Sequence, residues 1–158
     1  MKQSLKTGLG FGITSGVITT LGLLVGLHAG TLSKLAIIGG VLTIAIADAF
    51  SDSLGIHISK EFEDKSSTKE IWESTITTFL SKFVVAITFV IPVLFFSLSV
   101  ALKISILWGV GLLGFFSSYI AKQKKVKVWP VVAEHLFIAL VVILVAHFTG
   151  YWIRQMFI

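Results

Sequence analysis

The sequence predicts an all-α, polytopic membrane protein with five transmembrane helices, its N-terminus cytoplasmic and its C-terminus outside. Three observations lead there. Hydrophobic residues make up 55% of the 158 and charged residues only 13%, where a soluble domain carries about a quarter charged. The mean hydropathy is +0.95, and several apolar stretches reach the roughly 20 residues that a helix needs to cross a bilayer. The basic residues, finally, are segregated along the chain. There is no cysteine, which excludes disulfides and thiolate metal sites.

The spans follow from the charge-poor runs. Residues 7–33 contain no Asp, Glu, Lys or Arg and hold the first helix, about 9–28. The second covers about 35–58. The third runs over residues 83–102 with an extension back towards Thr68, giving about 68–102. The fourth is about 104–121 and the fifth about 131–153, so a tight hairpin is expected around Lys103. Pro92 predicts a kink in the third span, because neighbouring groups can satisfy the carbonyl it frees.

Lysine placement orients these spans. Nine of the thirteen basic residues fall at the N-terminus (Lys2, Lys6), in the second connector (Lys60, Lys65, Lys69) and in the fourth (Lys122, Lys124, Lys125, Lys127). Lys34, Lys103 and Arg154 take the other side, and Lys82 is placed near the inner end of the third span. The KQKKVK run reads as a topology signal that favours anionic headgroups, and nucleic acid is not an expected partner. Lys2 and Lys6 precede an apolar run as in a signal peptide. That run is too long and glycine-rich and lacks a small-residue cleavage site, so it is expected to stay as the first helix. The compact chain points to a bacterial or archaeal plasma membrane.

The candidate site begins in the second helix. At 3.6 residues per turn, Ile44, Asp48, Ser51, Asp52, Gly55 and Ser59 share one stripe. An aspartate near the middle of a membrane helix costs roughly 2.5–3.5 kcal/mol on insertion scales, and like charges four residues apart repel. Such a stripe is expected to face water, a partner or a bound cation. Asp48 and Asp52 are therefore the principal candidate metal ligands. His57 lies on the opposite side of the helix and is discounted, and Glu134 and His135 read as interfacial.

Other oxygen donors cluster around this pair. In the first helix Gly8, Gly12 and Gly16, then Gly22, Gly26 and Gly30, recur at an interval that permits close helix approach. A second, mildly polar stripe holds Ser15 and Thr19, candidate weaker ligands. Those stripes could line a path or a dimer face, but spacing alone favours ordinary packing. The connector 60–73 holds Glu61, Glu63, Asp64, Glu70 and Glu73, five of the eight acidic residues. Glu61 and Glu63 are candidates for concentrating cations at a pore mouth. Hard oxygens suit Mg²⁺, Ca²⁺, Mn²⁺ and Fe²⁺. No cofactor is expected beyond a transported divalent cation.

With these residues in view, the chain resembles the vacuolar iron transporter family, membrane exporters of Fe²⁺ and Mn²⁺ from the cytosol. FGITSGVITTLGLLVGL (11–27) looks like the family's first-helix signature, and GGVLTIAIADAFSDS (39–53) is similar to its second-helix pattern. Phe79, Phe83, Pro92, Glu134 and Gly150 also fit. The resemblance implies five helices with the N-terminus inside, a homodimer whose first helices line the metal path, and export driven by proton antiport. Position by position, Asp48 keeps the carboxylate of the family's second-helix glutamate. Ser15 stands where the family has an aspartate, and Ile44 where it has a methionine. The acidic helical domain that some members insert is missing from this short connector.

Two other classes compete. An Asp-x-x-x-Asp pair resembles the end of the CDP-alcohol phosphotransferase motif, but that chemistry needs further aspartates and an upstream Ala-Arg element, and Arg154 is the only arginine. No enzymatic activity is expected. A non-transporting structural or sensor relative that keeps the fold is the alternative, supported by Ser15 and Ile44.

Overall fold

The computed structural model describes residues 2–63 and 66–157. Asp64 and Lys65, part of the acidic connector, lie outside the described residues. Among the described residues the chain is all-helical: α1 (Gln3–Thr31), α2 (Lys34–Glu61), α3 (Thr68–Thr88), α4 (Val90–Phe95), α5 (Leu98–Gln123) and α6 (Val128–Phe157). Helices α3 and α4 form one broken span, Thr68–Phe95, so five segments are long and apolar enough to cross a membrane.

Glycine periodicity puts α1 at the centre, packed against α2, α3, α5 and α6. On its first half, a Cβ at Gly8 would lie 2.7 Å from the Ser74 carbonyl oxygen, and one at Gly12 would lie 2.7 Å from that of Thr78. On its second half Gly22, Gly26 and Gly30 meet Val142, Ala146 and Gly150 of α6. Both small-residue series are thus consumed by packing within the chain, where close backbone approach lets dispersion hold helices together in lipid. The neighbours answer in kind. Ser74, Thr78, Lys82 and Ala86 form the buried stripe of α3, and Ala101, Ser105, Gly109, Leu113, Ser117 and Ala121 that of α5. Val17, Leu21, Leu24, Phe89, Val93 and Leu113 fill the space between.

Side-chain contacts fix which helix ends gather. Glu73 accepts from Lys2 Nζ at 2.8 Å and from Ser4 Oγ at 2.7 Å, while Lys6 Nζ reaches the Gln123 side-chain oxygen at 3.3 Å. His57 near the end of α2 meets Thr75 near the start of α3 at 3.0 Å. One end of the bundle therefore collects the start of α1, the α2–α3 connector and the α5–α6 connector, with their lysines. Gly30 and Gly150 meet towards the other end, the end of Lys34 and Arg154.

In the third span the kink expected from Pro92 is present as a break, while the hairpin departs from the sequence expectation. The helix breaks at Phe89, three residues before Pro92, because a proline ring removes one N–H and crowds the carbonyl four residues back, that of Thr88. Thr88 Oγ1 accepts from the Trp108 indole at 3.0 Å, tying the break to α5. The hairpin falls at Phe96 and Ser97, not around Lys103. Both residues are extended, and Ser97 is the N-cap of α5. Lys103 stands exposed about a turn and a half into that helix, where its long stem lets the charge reach outward.

The α5–α6 turn is a Schellman motif. Val126 N–H bonds the Ala121 carbonyl at 3.0 Å and Lys125 N–H that of Lys122 at 3.2 Å. Lys125 takes the left-handed position (φ 54°), where glycine is the usual occupant. Lysines thereby crowd one turn at the lysine-rich end.

Candidate functional site

The positive charge that Asp48 and Asp52 face is supplied by the chain itself. Lys82, on the α3 stripe turned to α1, has a side chain only 2% exposed. Its stem runs along α1 where Gly16 leaves room: a Cβ there would sit 3.3 Å from Lys82 Cγ. The ammonium then reaches three oxygens. Nζ lies 2.6 Å from Asp48 Oδ2, an ion pair without hydrogen-bond alignment. It donates to Asp52 Oδ2 in a very short contact and to Ser15 Oγ at 2.9 Å. Ser15 in turn donates to Asp52 Oδ2 at 2.6 Å. An ammonium has three N–H bonds, and here three oxygens surround it.

The cluster stands far from the helix ends. Lys82 stands fourteen residues into its span, about 21 Å along the axis, while Asp48 is about 20 Å from the end of α2. The expectation that Lys82 lies near the inner end of its span is therefore corrected: it sits mid-helix, because the span starts at Thr68. Ionisable groups within transmembrane segments pair with one another, since a buried charge left alone is costly.

The cluster is unequal in two respects. Two carboxylates against one ammonium leave a formal charge of −1 when all three are ionised. Access also differs, for the Asp48 and Asp52 side chains are 29% and 22% exposed against 2% for Lys82. The two aspartates are thus the partly exposed members of the cluster and the ammonium its buried one. Among the described residues α2 packs against α1, α3 and α4, with no extensive contact to α5 or α6.

Of the sequence candidates, Asp48, Asp52 and Ser15 come together. Thr19 does not join them: its hydroxyl donates to the Ser15 carbonyl at 2.9 Å, satisfying a group on its own helix. Glu61 and Glu63 are also elsewhere. Glu61 approaches His57 Nε2 at 3.5 Å. Glu63 accepts from Lys60 at 2.7 Å and Ser66 at 3.1 Å, which hold its carboxyl below the usual carboxylate range. About two and a half turns of helix separate Glu61 from Asp52. His57 turns to α3, against Trp72 at 4.8 Å between ring centroids. His135, on α6, bonds Ser117 at 2.7 Å.

Lys82 is the residue that sequence reasoning missed. Two signals pointed to it: it is the only charged side chain between Glu73 and Lys103, and Ser74, Thr78 and Ala86 place it on a small, inward stripe. Among the described residues no group of three or more His, Cys, Asp or Glu side chains is placed to hold a metal ion. The oxygen set here is two carboxylates and a hydroxyl, already engaged with an ammonium. No family model, curated protein or solved structure matches the chain.

Proposed function

We propose that this protein is an integral, multi-pass cation transporter in which Asp48 and Asp52 bind the cargo and Lys82 holds their place when the cargo is absent. The observation that carries the reading is the buried ammonium between two aspartates whose side chains remain partly exposed. A cluster serving cohesion alone needs neither the second carboxylate nor the exposure. The cargo we assign is a divalent cation of the Fe²⁺ or Mn²⁺ type. Two carboxylates and the Ser15 hydroxyl are hard donors suited to it, and the resemblance to the vacuolar iron transporter family agrees.

The exchange is a matter of charge. With Lys82 in place the three groups sum to −1; a dication on the two carboxylates neutralises them, and the ammonium must then move away. Return of Lys82 expels the cargo; protonation of the carboxylates does so too, and that route couples its movement to protons. In this reading the lysine-rich end is cytoplasmic, transport is outward, and a second copy completes the path beside α1 and α2 in a two-fold dimer.

Uptake of Mn²⁺ into proteoliposomes tests the reading. Asp48→Asn removes one charge from the site and is expected to lower the rate at least about tenfold, the cost of roughly 1.4 kcal/mol in cation affinity. Transport at the parent rate overturns it. One observation favours a second reading, a non-transporting relative: Lys82 already satisfies Asp52 and Ser15 inside the chain. That protein shows no Mn²⁺-dependent rise in melting temperature, with or without Lys82.

A further inference from the structure

A second polar site lies at the lysine-rich end, where the start of α1 meets the end of α5. There the two helices enclose a cavity of about 350 Å³. Its lining combines the polar side chains of Lys6, Gln123 and Lys124 with the apolar surface of Gly10, Phe116 and Ile120. Lys6 and Gln123 bridge the helices at 3.3 Å, and Gln123 also reaches the Tyr119 hydroxyl at 3.4 Å. A Cβ at Gly10, which lines the cavity, would meet nothing within 4 Å, so the space beside this glycine is open. Lys6 and Lys124 are the charged residues that line the cavity. Among the described residues Lys6, Lys122, Lys124, Lys125 and Lys127 make no ion pair with a carboxylate.

We infer that this cavity binds the headgroup of an anionic phospholipid, with Lys6 and Lys124 on the phosphate and the acyl chain against Phe116 and Ile120. The shared chemistry is a phosphate ester anion, for which basic pockets between membrane helices are suited. The apolar part of the lining selects the lipid over a soluble phosphate, because a free anion gains nothing from Phe116 and Ile120. The inference is independent of Asp48, Asp52 and cation transport.

Native mass spectrometry of the full chain in detergent, titrated with dioleoylphosphatidylglycerol or dioleoylphosphatidylcholine, tests it. The expected result is a retained phosphatidylglycerol adduct at lower concentration than phosphatidylcholine. Lys6→Gln with Lys124→Gln is expected to weaken retention about tenfold or more. Gly10→Leu, which fills the cavity without touching charge, does the same. Lys125→Gln with Lys127→Gln, in the turn outside the cavity, leaves retention nearly intact. Equal losses from the two double variants, or full retention in Gly10→Leu, overturn the site in favour of diffuse surface charge. Displacement of the adduct by millimolar inorganic phosphate overturns the lipid assignment in favour of a soluble anion.

Discussion

Lys82→Met is expected to destabilise the protein by about 3–5 kcal/mol in the absence of metal, the usual cost of removing one partner from a buried ion pair. Methionine fills most of the lysine stem's volume and keeps its flexibility, so packing against Gly16 survives and the loss is electrostatic. What remains is two carboxylates one helical turn apart, both still partly shielded from solvent, with only the Ser15 hydroxyl donating to Asp52 at 2.6 Å. The sign of the metal response then separates the readings. Freed of its tethered competitor, the pair carries −2 and binds Mn²⁺ more tightly than the parent does. Melting in detergent with increasing Mn²⁺ checks this: the variant's melting temperature rises further than the parent's, as for any ligand that binds only the folded state. A variant as stable as the parent without metal contradicts the burial argument. One that Mn²⁺ fails to rescue contradicts the binding argument.

Gly150→Ala is expected to cost about 1–3 kcal/mol, in the range for overpacking a close contact. A Cβ at Gly150 would collide with the Gly26 carbonyl oxygen, and would also lie 3.0 Å from the Gly26 carbonyl carbon and 3.1 Å from the Gly30 nitrogen. All three atoms are backbone of α1, so no rotamer change relieves the clash and the two helices must separate. Gly39→Ala is the matched control. Its Cβ would enter open space, and helix propensity favours alanine there. Thermal unfolding of both variants checks the pair; equal melting temperatures contradict the proposed α1–α6 contact. Because the substituted atom lies far from Lys82, the Mn²⁺ response of Gly150→Ala should follow the parent's.

Much of this architecture is written locally. Each apolar stretch announces a span because its backbone must satisfy itself within lipid, and the lysine clusters identify the ends that the Lys2–Glu73 and Lys6–Gln123 contacts bring together. The Asp48 and Asp52 stripe is equally visible, since four-residue spacing puts both on one face. The use of the α1 glycines was only half legible: their interval says that something packs closely, but not whether it is α3, α6 or a second subunit. Boundaries near the hairpin misled, because an uncharged run hides an extended residue such as Ser97, and a lysine inside a helix mimics a loop.

The partner of the two aspartates was the hardest part to read. Lys82 is thirty residues from Asp52, on another helix, and nothing in local periodicity states that the two meet. Its pairing depends on how α2 and α3 each pack against α1, with Gly8, Gly12 and Gly16 holding α3 there. Local sequence records a charge that needs a partner. Only the packing of three helices selects which one.

The most direct test of the exchange site is anomalous diffraction at the manganese edge, on crystals of the parent protein grown with Mn²⁺. The account predicts a single strong peak between the Asp48 and Asp52 carboxylates, near Ser15, with the Lys82 ammonium moved off both. Lys82 still bridging the two aspartates at saturating Mn²⁺, with no peak beside them, would contradict it.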